Sequence, residues 1–257
     1  MVDTGDARIK LNLEGPVATL TIARPEKLNA LDFEMILALE RAAHLIDANS
    51  AVRVAIITGE GEKSFCAGGD IAAWSKINAE DFGLKWVRAG HRAFDSLTRL
   101  RQPLIAAVNG HILGGGFELA TCADFRIGED HIKIGLPETG LGIIPGWSGT
   151  QRSVKRFGAQ IIRRMALLGE VLTAEQGLQA GLLDRVVAKG TSLQAAQEFA
   201  QMIISRSNFA TTAAKMMINA ADGEDAERAL ESLAGVAVGH SEELKQGLEK
   251  FRAKKKS

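Results

Sequence analysis

The sequence predicts an α/β fold, with parallel sheet layers first and a run of helices after them. Two patterns carry this expectation. Short, almost uniformly apolar segments leave through glycine loops into helix-forming stretches, as strands of a parallel sheet do when ligand loops sit at their ends. From Thr191 to Lys255, Ala, Gln, Glu, Leu and Lys dominate, and the chain reads as helix throughout. At 257 residues the chain can bury a sizeable core without covalent staples.

Each element has its own local reason. Alternating apolar positions in Ile9/Leu11/Leu13 and from Val17 to Ile22 flank Gly15-Pro16, the pattern of a strand hairpin ended by Arg24-Pro25. Asp32 can cap a helix whose Ile36, Leu39, Ala43 and Ile46 recur at helical spacing, and Val52 to Thr58 reads as a buried strand. A glycine-bearing loop from Gly59 to Asp70 follows, then a helical region from Ala79 to Arg101, stopped by Pro103. Next come a strand Leu104 to Val108, a loop Asn109 to Gly115, a helix from Gly116 and a strand Phe125 to Gly128. Gly158 to Leu168 and Thr173 to Ala180 read as short helices, the second opened by a Thr173/Gln176 capping box, and Leu183 to Val187 as a last strand. The division falls near residue 190: a core with the site over 1–190 and a helical module over 191–257.

Composition narrows the function. Thirty-one basic residues balance 31 acidic ones, so no global field favours nucleic acid or an anionic membrane as partner. The N-terminal residues lack a basic segment followed by an apolar one, and no apolar run approaches ~20 residues, so neither signal peptide nor membrane span is expected. Cys66 and Cys122 have no metal-site or redox-pair spacing, which points to a reducing, cytoplasmic setting.

Several catalytic signatures fail. Gly59 to Ser64 has Glu62 where a phosphate loop needs glycine before Lys63. Gly146-Trp147-Ser148-Gly149 lacks the spacing of a nucleophile elbow, and no His-Glu-x-x-His is present. Two glycine loops remain, Ser64 to Asp70 and Asn109 to Glu118. Glycine lets main-chain N–H groups approach a ligand atom, and a helix beginning beyond the second loop adds its positive end. Two such donors aimed at one point form an oxyanion hole, worth about 3 kcal/mol per donor. Glu118 and Glu138, both at loop–helix junctions, can supply an acid and a base.

Taken in order, Arg24-Pro25-Glu26-Lys27-Leu28-Asn29-Ala30-Leu31, Phe65 to Ile71, Gly110 to Leu119, Pro137-Glu138 and Gly142 to Gly146 continuing to Thr150-Gln151-Arg152 resemble the enoyl-CoA hydratase/isomerase (crotonase) family along essentially the whole chain. The resemblance implies a crotonase-like spiral of ββα turns with a C-terminal helical trimerisation region. It implies a CoA thioester substrate, an oxyanion hole for its enolate, and no separate cofactor or metal. The two donors fall on Gly69 and Gly115, the catalytic glutamates on Glu118 and Glu138, and a water-placing glycine on Gly146. Retention of both glutamates favours a hydratase, which adds water to a trans-2-enoyl-CoA to give 3-hydroxyacyl-CoA, over an isomerase or another acyl-CoA lyase or hydrolase of the family. A non-enzymatic RNA-binding relative fits the balanced charge poorly.

By the same resemblance, CoA is held by Lys27, Leu28, Ala30, Ala67, Asp70 and Ile71, with Phe251 and Lys254 of a neighbouring subunit completing the site. The apolar spacing of Phe209, Met216, Met217, Leu230 and Leu233 predicts association through the helical end, which the resemblance implies to be a trimer or a dimer of trimers. Trp147 and Ser148 depart from the small residues usual in the family, and the indole either narrows the acyl pocket or packs under the loop; Trp74 and Trp86 fall in the segment that would line the acyl path, with Trp86 read as packing. His91 and His111 are read as structural, and both cysteines as buried small hydrophobes.

Overall fold

Alternation along Ile9–Glu14 (β1) and Val17–Ile22 (β2) buries one face of each strand, and Gly15, at φ +57°, makes the turn between them. This computed structural model describes residues 2–254, and the side chains of Phe251 and Lys254 lie outside the described residues. Asp32 caps α1 (Phe33–Ala48) by accepting the Met35 N–H at 3.1 Å, and β3 (Val54–Gly59) is buried on both faces. There follow β4 (Ser64–Cys66), α2 (Ile71–Trp74), α3 (Ala79–Asp81), a π-helical turn Phe82–Val87 and α4 (Arg88–Thr98). Next are β5 (Leu104–Val108), β6 (His111–Leu113), α5 (Gly115–Thr121), β7 (Phe125–Glu129), β8 (Lys133–Gly135) and a 3₁₀ turn Glu138–Leu141. Then come α6 (Gln151–Phe157), α7 (Ala159–Leu168), β9 (Val171–Thr173), α8 (Ala174–Gln179) and β10 (Arg185–Val187), before α9 (Ser192–Ile204), α10 (Asn208–Ala221), α11 (Ala226–Gly239) and α12 (Glu242–Lys254).

The strands form two sheets, β1-β2-β3-β5-β7-β10 and β4-β6-β8-β9, parallel except for the β1/β2 and β8/β9 pairs. Each turn of the chain gives one strand to the large sheet, one to the small sheet and then a helical segment: β3-β4-α2, β5-β6-α5, and β7-β8 with the 3₁₀ turn. This is the spiral of ββα turns. Its functional consequence is alignment. Because β4, β6 and β8 are parallel neighbours, their C-terminal ends bring Gly69, Gly115 and Glu138 to one edge of the small sheet.

Four differences from the sequence reading have physical causes. The loops read over Gly59 to Asp70 and Asn109 to Gly115 contain β4 and β6, strands of three residues, too short for alternation to register. β8 and β9 escaped for the same reason. The helical region read from Ala79 to Arg101 is helical without a break from Ala79 to Thr98, but it contains a π-helical turn whose extra residue offsets α4 from α3. The division near residue 190 crosses a continuous interface: Ala195, Ala196 and Ala200 of α9 pack on Val54, Ile56, Ile105, Ala107 and Ile127 of the large sheet as a second core.

Buried ion pairs tie the later helices down. Lys215 of α10 donates to Asp124 at 2.7 Å and to the Gln102 carbonyl at 2.8 Å. Arg152 of α6 joins Glu224, between α10 and α11, to Asp95 of α4. Among the described residues no helix is long and apolar enough to cross a membrane.

Candidate active site

The site begins where two glycine turns meet. A Cβ on Gly68, whose φ is +88°, would lie 2.8 Å from the Gly115 nitrogen, so these backbones can approach only without side chains. Leu31 donates to the Gly68 carbonyl and accepts from the Asp70 N–H, both at 2.8 Å, which fixes the first loop on either side of Gly69. The Gly115 N–H opens α5 and has no acceptor within its own helix. Both glycines line a cavity of about 120 Å³, together with Glu118, Glu138 and Gly146.

Glu118 lies in the first turn of α5 and is only 3% exposed. Its Oε1 accepts the Trp147 N–H at 2.7 Å and the Gly149 N–H at 2.6 Å. Burial pushes its carboxyl up to about 7, the charge of Glu138 adds to the rise, and the N–H groups of Trp147, Gly149 and Gly146 oppose it. Glu138, 7% exposed, sits over Gly114, where a Cβ would lie 3.0 Å from its Oε1. Neither of its carboxylate oxygens has a hydrogen-bond partner among the described residues, and burial raises it to about 7. One carboxylate is thus solvated by main-chain N–H groups of another loop, and the other finds no such donors among the described residues.

The comparisons fit this geometry. A family model described as enoyl-CoA hydratase/isomerase matches residues 12–257. The chain belongs to the enoyl-CoA hydratase/isomerase family. Within that family it is 36% identical over 255 residues to a crotonyl-CoA hydratase of Syntrophomonas wolfei, covering 97% of this chain and 96% of that protein. It is 37% identical over 248 residues to a short-chain-enoyl-CoA hydratase of Clostridium acetobutylicum, covering 96% and 95%. The solved enoyl-CoA hydratase of Bacillus anthracis superposes with a TM-score of 0.82 at 32% identity, covering 96% of each chain.

The residues that family resemblance assigns to CoA fall mostly in one place. Leu28 and Asn29 both have left-handed backbone, at φ +54° and +57°, a strained pair held by the Asn29 side chain. Its amide donates to the carbonyls of Glu60 at 3.0 Å and Ser64 at 2.8 Å, and its oxygen accepts the Arg24 N–H at 2.9 Å. The Ala67 N–H donates to the Leu28 carbonyl at 3.1 Å, so Leu28, Ala30, Ala67, Asp70 and Ile71 sit on adjoining segments, with Lys27 exposed beside them. The Asp70 carboxylate caps α2 at Ala72 and pairs with Arg24 at 2.9 Å, so its visible work is shaping the loop. Leu28 and Ala67 also border a cleft of about 660 Å³ that runs past Lys63, His111 and Lys189.

Sequence reading missed the two donors to Glu118. Their only signal was the Gly146 to Gly149 run. Gly149 has to be glycine, since a Cβ there would lie 2.6 Å from Glu118 Oε1. His91 Nδ1 and Ser148 Oγ lie 3.0 Å apart and pin this loop, with Ser148 at φ +75°. The His111 ring accepts the Lys133 N–H at 3.1 Å, and Cys66 and Cys122 are buried free thiols.

Proposed function

We propose that the protein is an enoyl-CoA hydratase, adding water across the double bond of a trans-2-enoyl-CoA to give the 3-hydroxyacyl-CoA. The observation that carries this is the pair of buried glutamates in one cavity, solvated in opposite ways beside Gly69 and Gly115. Main-chain donors favour the anionic form of Glu118, which makes it the base. The unpartnered, buried carboxyl of Glu138 favours the neutral form, which makes it the acid.

In this reading the Gly69 and Gly115 N–H groups hold the thioester oxygen, which takes up charge as the enolate forms. Water, placed by Glu118 and the Gly146 backbone, attacks the β-carbon and gives its proton to Glu118. The α-carbon takes a proton from Glu138. One water is added and no electron changes hands, so the proposed reaction needs no redox cofactor, and the Gly69 and Gly115 N–H groups take the polarising role that a metal would otherwise fill. Exchange with solvent resets the two carboxyls.

CoA lies along Lys27, Leu28, Ala30, Ala67, Asp70 and Ile71, with Phe251 and Lys254 of a second subunit as further contacts. Exposed apolar side chains on α10 and α11, among them Phe209, Met217, Ile218 and Leu230, support association as a trimer or a dimer of trimers. The free, buried cysteines suit a cytoplasmic location, and the zero net charge gives no support to nucleic-acid binding.

The test is loss of the ultraviolet absorbance of trans-2-enoyl-CoA substrates, with product masses. Gain of one water is expected. Absence of turnover across chain lengths overturns the reading, and a product of unchanged mass replaces it with an isomerase.

A further inference from the structure

All three tryptophans of the chain converge on one glycine. A Cβ on Gly69 would lie 3.2 Å from Trp147 Cη2, 3.2 Å from Trp86 Cζ2 and 3.5 Å from Trp74 Cδ1. Trp147 is the innermost of them. Its ring stacks on Trp86 at 5.9 Å and takes the edge of Phe94 at 5.1 Å, and it is 4% exposed.

The indole is wedged at both ends. On the α4 side Gly90 makes its room, since a Cβ there would lie 2.0 Å from Trp147 Nε1. On the site side, a Cβ on Gly115 would lie 2.9 Å from Trp147 Cζ3. The ring therefore reaches from α4 to the backbone of both oxyanion glycines and cannot tilt away without displacing one of them. The main chain of the same residue donates to Glu118, so the indole is registered against the catalytic carboxylate. An acyl group attached to a thioester held by Gly69 and Gly115 starts its path against this ring.

The space left is small. The space against the ring is about 120 Å³ and must also hold the thioester. We infer that Trp147 sets the depth of the acyl pocket and restricts the protein to short, flat acyl groups of about four carbons. The inference rests on the hydratase reading for its substrate class. Its tests separate the two.

With the full-length protein, kcat/KM is measured for trans-2-butenoyl-CoA and trans-2-decenoyl-CoA in wild type, Trp147→Phe and Trp147→Ala. In parallel, the non-reacting butyryl-CoA and decanoyl-CoA are titrated against tryptophan fluorescence. Because every indole in the chain lies at the site, binding of butyryl-CoA to the wild type should change most of the emission. Wild type should prefer the four-carbon substrate by more than about tenfold. Trp147→Ala should raise the ten-carbon to four-carbon ratio by about tenfold or more, and Trp147→Phe, which keeps a ring in the wedge, by about threefold.

A wild type that prefers the ten-carbon chain overturns the inference. So does a folded variant of either kind whose ratio stays within about twofold of wild type. If no enoyl-CoA is hydrated while butyryl-CoA binds more tightly than decanoyl-CoA, the hydratase reading fails and the depth limit stands. If Trp147→Ala does not fold, the ratio for Trp147→Phe decides. If neither acyl-CoA changes the fluorescence, both readings fail.

Discussion

Glu118 and Glu138 share one cavity with opposite hydrogen bonding. The first accepts two main-chain N–H groups on one oxygen, and the second has no partner in the described chain for either oxygen. Both are raised to about 7 by burial, and the charge of one raises the other. The proposed hydration uses the first as carboxylate and the second as acid. The rate therefore rises as Glu118 loses its proton and falls as Glu138 loses its own. A bell-shaped kcat/KM profile centred near pH 7 is expected, with apparent pKa values that belong to the pair. A flat profile from pH 5 to about 9 would contradict it.

Stability should carry the opposite mark of the same carboxyl. Burial lifts Glu138 from its ordinary 4.5 to about 7, so the folded protein binds a proton more tightly than the unfolded chain. That contribution is complete below pH ~4.5 and is lost as pH rises to about 7. Glu138→Gln has no such loss. Its Tm advantage over wild type should grow between pH 5 and 8 by an amount equivalent to ~1–3 kcal/mol. Thermal melts across that range check it, and an advantage that shrinks with pH would contradict it.

Gly149→Ala tests how the Glu118 carboxylate, the proposed base, is held. The added methyl would lie 2.6 Å from Glu118 Oε1 and 2.7 Å from its Cγ, so the carboxylate must leave its two donors. Displacement on the scale of an ångström costs about 10²-fold in rate, and kcat should fall by that order while KM for the substrate changes little. Steady-state kinetics on the folded variant decide between this and a mere packing defect, which would leave kcat intact.

Arg152 tests the attachment of the helical end. It is 4% exposed and donates to Glu224 at 2.7 Å and Asp95 at 2.6 Å. Arg152→Met removes the cation bridging the two carboxylates and leaves them only Arg99, 3.5 Å from Asp95 and 4.0 Å from Glu224, which should cost ~3 kcal/mol in urea unfolding. Because Glu224 joins α10 to α11, limited proteolysis should then cut first within α11 and α12.

Much of this was legible in the sequence. Asp32 caps α1 as its side chain and spacing require, Thr173 and Gln176 form their capping box, and the apolar runs of β3 and β5 are fully buried. What was illegible was short or distant. Strands of three residues cannot display a period, yet β4, β6 and β8 are what align the site. The donors to Glu118 lie 29 and 31 positions beyond it, a distance over which only the fold creates contact. Trp147 stood out as an unusual residue in a glycine run, but its wedge between Gly90 and Gly115 is a tertiary fact. Phe251 and Lys254 lie, as to their side chains, outside the described residues.

The most direct measurement is the turnover of trans-2-butenoyl-CoA by wild type, Glu118→Gln and Glu138→Gln, with the product weighed. Glu118→Gln keeps an oxygen for both main-chain donors, so the fold survives while the proposed base is lost. The account predicts a product heavier by one water and a rate lowered by about 10²-fold or more in each folded variant. A product of unchanged mass, or a folded variant that retains the wild-type rate, would contradict it.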